Sequence, residues 1–194
     1  THRMPAPLAN RFNHYEMECD PKAWVNWALS NGIHAEDIAF IRFRPNLLYT
    51  FDPKSADRAF GTPRSWVKAF RQARRAKNTA SAHRLVASGV GAGQAAEYFA
   101  FLTMIREVPS VDEIKLHPTT TKVPTEPATL YALTTALAMS TTSDSAFGRF
   151  MEYMKRIPID FQVVYVRDAL KKVPSTAHTK EFVRFTSEHG DVLL

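Results

Sequence analysis

Two arginines occupy settings in which a fixed positive charge could do chemistry. Arg11 closes the run Pro5-Ala6-Pro7-Leu8-Ala9-Asn10-Arg11-Phe12. It stands just before Asn13-His14-Tyr15-Glu16-Met17-Glu18-Cys19, whose alternation predicts a strand with Tyr15, Met17 and Cys19 on one face. Arg64 lies in Gly61-Thr62-Pro63-Arg64-Ser65-Trp66. There, Thr62 is a suitable N-cap and Pro63 suits the first helical position, so a helix is predicted to begin. A cation in the first turn opposes the positive end of the helix dipole, at a cost of about 0.3–1 kcal/mol. The seat makes sense when an anion is bound, and helix N-termini bind phosphate readily. A guanidinium suits that task because its charge is fixed and its planar fork can meet two phosphate oxygens at once.

The elements that must hold these arginines are mostly helical. Asp20-Pro21 marks a helix start, with Trp24, Trp27 and Ala28 on one stripe and Asn31-Gly32 as the stop. Residues 35–44 form a second helix, broken by Pro45, and 46–51 add a turn or two. The helix after Thr62 buries Trp66, Val67, Phe70 and Ala73, turns Lys68, Arg71, Arg74 and Arg75 outward, and ends at Lys77-Asn78-Thr79. Helices are expected over 81–88 and 93–108, the second with Ala96, Phe99, Ala100 and Ile105 inward. The prolines and threonines of 109–127 predict an ordered loop or joint without a packed element. Helices over about 127–140, 144–156, 159–173 and 177–189 complete the chain. The third of these buries Phe161, Val164, Tyr165 and Ala169, and the last is anchored by Phe182, Val183 and Phe185. The fold class is therefore mainly α, a helical bundle with one short strand.

Other constellations carry less chemistry. Gly89-Val90-Gly91-Ala92-Gly93-Gln94-Ala95-Ala96 contains part of a dinucleotide fingerprint, but the preceding segment reads as helix where a buried strand is required, so a tight helix–helix turn is expected. No two of the seven histidines stand at i, i+3 or i+4, so no metal site is expected. Ser143, Ser145 and Ser175 lack a base at useful spacing. Arg71, Arg74, Arg75 and Lys77 could touch nucleic acid, yet no aromatic platform interleaves them, and a solvated face is expected instead. The single cysteine, Cys19, excludes an internal disulfide and reads as a small core residue. A net charge of +6 and a pI near 9.5 fit contact with phosphates. No apolar run approaches a membrane span, and the cytoplasm is the expected location.

The Pro-Leu-x-Asn-Arg-Phe run and the Gly-Thr-Pro-Arg run together resemble the C-terminal part of a MoxR-like AAA+ ATPase. The resemblance is strongest over residues 5–76 and looser over 77–194. It implies that Arg11 is an arginine finger acting in trans and that Arg64 is the sensor 2 arginine of the helical lid. It further implies a division into the end of an AAA+ core (1–20, finger and last strand), a helical lid (21–108), a connector (109–127) and a C-terminal helical extension (128–194). No Gly-x-x-x-x-Gly-Lys-Ser/Thr loop occurs in the sequence, nor an apolar strand ending in acids that could hold Mg²⁺. The chain is accordingly read as a fragment whose N-terminal part is absent. ATP and Mg²⁺ are the cofactors of the parent, and this chain alone should bind neither. By resemblance the parent is a homo-oligomeric ring, hexameric as in the family, that remodels a partner protein. A protein bearing a von Willebrand factor A domain is the implied partner, and neither nucleic acid nor membrane is expected. The alternative is a non-enzymatic basic helical module that binds nucleic acid or a protein.

Overall fold

Local chemistry at helix starts organises much of the chain. The computed structural model describes residues 4–15 and 17–193, so Glu16 of the expected strand lies outside it. The helices are α1 (Ala6–Ala9), α2 (Pro21–Ser30), α3 (Ala35–Phe43), α4 (Pro63–Arg75), α5 (Thr79–Val90), α6 (Ala92–Met104), α7 (Val111–Leu116), α8 (Pro127–Ser140), α9 (Asp144–Met154), α10 (Ile159–Lys172) and α11 (Lys180–Leu193). Short 3₁₀ turns cover Pro45–Leu48, Ile105–Glu107 and Pro174–His178. The protein is mainly α.

The expected stops and starts have visible causes. The Asp20 side chain accepts from the Lys22 amide, and Pro21 takes the first position of α2, where no intrahelical N–H is needed. Gly32, at φ +69°, turns the chain out of that helix in a conformation that favours glycine. The Gly-rich run at 89–93 is a helix–helix turn, as its sequence predicts. Gly91 sits at φ +104° between α5 and α6, and a Cβ there would stand 3.1 Å from the Ala59 carbonyl.

Two apolar clusters make the core. The first is built on α2–α6 around a ring assembly in which Phe40 meets Trp66 and Tyr98 at 5.2 Å and Phe101 at 5.6 Å. The second gathers α7, α9, α10 and α11 around Phe147, Phe150, Met154 and Tyr165. Helix α8 belongs to both, giving Ala128 and Ala132 to the first and Leu130, Leu133 and Leu137 to the second. A helix apolar on every side must be covered on every side, and α8 is the spine between the two lobes. The lobes are also joined by charge. Arg42 of α3 donates to Asp168 of α10 and, at 2.8 Å, to Thr135 Oγ1 of α8.

Several expectations need correction. Val183, an expected anchor of the last helix, is 56% exposed, whereas Phe185 is buried. The described residues contain no β-strand. Around the expected strand, Tyr15 is 84% and Met17 98% exposed, and Cys19 is only half-buried. Extended backbone needs a neighbouring strand to complete its hydrogen bonds, and none lies beside it among the described residues. The segment 109–127 does contain a packed element. Ser110 caps α7, and Ile114 at its centre is fully buried. The loop behind it is tied down by side chains of the α9 region. Arg156 donates to the Pro118 and Thr121 carbonyls at 3.0 and 2.8 Å, and the Tyr153 hydroxyl to that of Lys122 at 2.8 Å. Composition alone misses it because those donors lie about thirty residues downstream, and backbone bonds to side chains do as well as a ladder. Helix α6, finally, is rotated from its expected face. Ala95, Tyr98 and Phe101 are buried, whereas Ala96 and Ala100 are exposed.

Candidate functional site

Helix α4 presents Arg64 at its second position. Thr62 and Ser65 form a reciprocal cap, the Ser65 amide donating to Thr62 Oγ1 at 3.0 Å and the Thr62 amide to Ser65 Oγ at 2.8 Å. Pro63 carries no N–H. The first turn holds no acidic residue, the Arg64 side chain is exposed, and among the described residues it forms no ion pair. A cation is thus set at the positive end of a 13-residue helix with its guanidinium open to solvent. The loop leading to it is held firmly. Thr50 and Gly61 exchange bonds of 2.9 and 2.7 Å, and a Cβ on Gly61 would fall 2.4 Å from the Leu47 carbonyl. That carbonyl also accepts from the Trp66 indole at 2.7 Å, which ties the first turn of α4 to the core.

Arg11 occupies the turn that closes the four-residue α1, its amide donating to the Leu8 carbonyl at 3.1 Å. It too is exposed. On the same segment Met4, Leu8, Phe12, Tyr15 and Met17 all face solvent. The two arginines stand on separate segments, one before the first lobe and one on its surface. Both suit phosphate oxygens. No cluster of three or more His, Cys, Asp or Glu able to hold a metal exists among the described residues.

The cationic face of α4 is not uniform. Arg74 stays on the surface, as expected, but pairs with Glu36 at 2.9 Å and Asp37 at 3.3 Å. Asp37 is fully buried and also accepts from the Tyr98 hydroxyl at 2.6 Å. Periodicity gives no hint of this triad, because its members come from three helices. Burial pushes the Asp37 carboxyl above its ordinary value, against the opposing pull of Arg74 and Tyr98. Burial and the adjacent carboxyl hold the Tyr98 hydroxyl high as well, so it remains a donor. A native state that holds the Asp37 proton more tightly than the unfolded chain loses stability as pH rises above the unfolded value of 3.8. Asp37→Asn, which keeps both acceptor bonds and removes the charge, should therefore lose less stability than the wild type as pH rises above about 4. Urea unfolding of both proteins across that range checks this; parallel stability curves would show that Asp37 stays ionised in the fold.

His83 lies against Phe99, with ring centroids 5.1 Å apart, and serves packing. In comparison with known proteins, no family model, no curated protein and no solved structure matches the chain.

Proposed function

We propose that this chain is the helical lid and C-terminal helical region of a MoxR-like AAA+ ATPase, working in a cytoplasmic ring that uses ATP hydrolysis to remodel a partner protein. The family rests on the Asn-Arg-Phe and Thr-Pro-Arg runs. The observation that carries the reading is the seat of Arg64: an exposed guanidinium at the second position of a capped helix, with no acid in the turn to balance it. A nucleotide phosphate would supply the missing negative charge. The apolar side chains around Arg11 support the reading from another side, since a sheet packed against residues 4–19 would cover them and put Arg11 at the edge of that sheet. Magnesium and the phosphate loop then belong to a part of the assembly outside these residues, and this chain contributes only positioning and charge.

In this account Arg64 contacts the nucleotide of its own subunit and reports its presence to the lid. Arg11 reaches across to the neighbouring subunit. Arg64→Ala in the full-length ATPase should weaken ATP binding or uncouple binding from hydrolysis. It should leave the melting temperature unchanged or slightly higher, because it removes a cation from the positive end of α4. Isothermal titration with ATP, beside steady-state turnover, checks both parts. Unchanged affinity together with unchanged turnover would remove Arg64 from the site.

A further inference from the structure

The two lobes meet along a cleft of about 270 Å³ that the nucleotide reading leaves unused. Its floor is apolar: Val25 of α2, Ile41 of α3 and Val164 of α10, with Tyr131 of α8 beside them. Its rim is cationic. Lys22 stands on the α2 side, and Arg167 and Lys171 stand one turn apart on the α10 side. The single acid in the lining, Asp168, is neutralised by Arg42. Lys22, Arg167 and Lys171 are exposed and form no ion pair among the described residues. Lys171 instead donates to the Asn26 amide oxygen at 2.6 Å, bridging α10 to α2. Three uncompensated cations therefore surround an aliphatic slot.

We infer that this cleft docks an acidic peptide segment of a partner protein, seating one large apolar side chain on the floor and holding flanking carboxylates against Lys22, Arg167 and Lys171. Charge complementarity selects the acids, and the slot selects the anchor residue. A nucleic acid fits less well. Bases stack on flat, open ring faces, whereas three of the four floor residues are aliphatic and Tyr131 is half-buried, packed edge-on against Phe161 at 4.9 Å. The cations also stand on both sides of the slot rather than along one line, which suits a side chain inserted between them. The inference does not depend on the ATPase reading, since neither Arg11 nor Arg64 lines the cleft.

A display library of randomised octapeptides, selected against this chain, supplies the probe. Enriched sequences should carry a Leu, Ile, Met or Phe flanked on both sides by Asp or Glu. A fluorescein-labelled synthetic copy of the most enriched octapeptide should then bind in an anisotropy titration. The double variant Lys22→Glu, Arg167→Glu should weaken that binding by about tenfold or more, since it reverses two rim charges. Arg71→Glu, Arg75→Glu, on the far face of α4, should leave it unchanged. Melting curves of both variants monitor the fold. Methyl resonances of Val25, Ile41 and Val164 should shift on addition of the peptide to the wild type, a readout that needs no variant. Selection without acidic enrichment would overturn the inference, as would equal binding to both double variants or unmoved methyl signals. A single-stranded DNA oligonucleotide that binds through Lys22 and Arg167 and displaces the peptide would reassign the cleft to nucleic acid.

Discussion

Asp168→Ala should lower the unfolding free energy by about 3–5 kcal/mol, the loss typical when one partner of a buried ion pair is removed. The side chains of Arg42 and Asp168 are only 12% and 6% exposed, at the point where α3, α8 and α10 converge. Without the carboxylate, the Arg42 guanidinium keeps one hydroxyl partner, Thr135, and must either stay desolvated or pull out of the joint. Either course loosens the seam between the two lobes. For a chain of this size the change corresponds to a fall in melting temperature of roughly 10 °C. The paired replacement Arg42→Met, Asp168→Leu should recover most of it, because two apolar side chains can fill the space without a buried charge. Urea unfolding of the two single variants and the pair gives the coupling between the sites. A single variant that loses less than about 1 kcal/mol would mean that the pair is solvated and does not hold the lobes together.

What could be read from the sequence is what local chemistry decides. Asp20-Pro21 and Thr62-Pro63 each carry a cap and a rigid first position, and both helices start where those residues predict. Gly91 punctuates α5 and α6 because its φ of +104° suits glycine. The face of α6 was not legible. Ala96, Phe99 and Ala100 offer an apolar stripe nearly as good as the true one of Ala95, Tyr98 and Phe101. What chooses between them is Tyr98, whose hydroxyl bonds Asp37 61 residues away. The lobe joint was hidden by distance too, since Arg42 and Asp168 are separated by 126 residues. For the candidate site, the cap and the position of Arg64 follow from four consecutive residues. The cationic cleft between α2 and α10 does not, because its rim is assembled only when the two lobes close.

If the proposed ATPase reading holds, Arg11→Ala in the ring-forming protein should leave ATP affinity nearly intact and cut hydrolysis by a factor on the order of 10² or more, because a finger meets charge that develops chiefly in the transition state. The substitution falls in an exposed turn with few contacts, so folding and assembly should not change. Arg64→Ala should show the opposite balance, acting on nucleotide binding. The contrast follows from placement: Arg11 lies on the segment before the first lobe, and Arg64 on the lobe itself. A variant of Arg11 that lost affinity and turnover in equal measure would place it in the ground-state binding site, and would merge the two roles assigned here.

The account depends most on the claim that these residues complete nucleotide sites in a ring, Arg11 on behalf of the neighbouring subunit. Mixing tests it most directly. Arg11→Ala subunits are combined with subunits whose phosphate-loop lysine has been removed, both inactive alone, and ATP turnover is measured once assembly of mixed rings is verified. The account predicts that activity returns, because some interfaces then pair an intact Arg11 with an intact phosphate loop. Assembled mixed rings as inactive as either parent would contradict it.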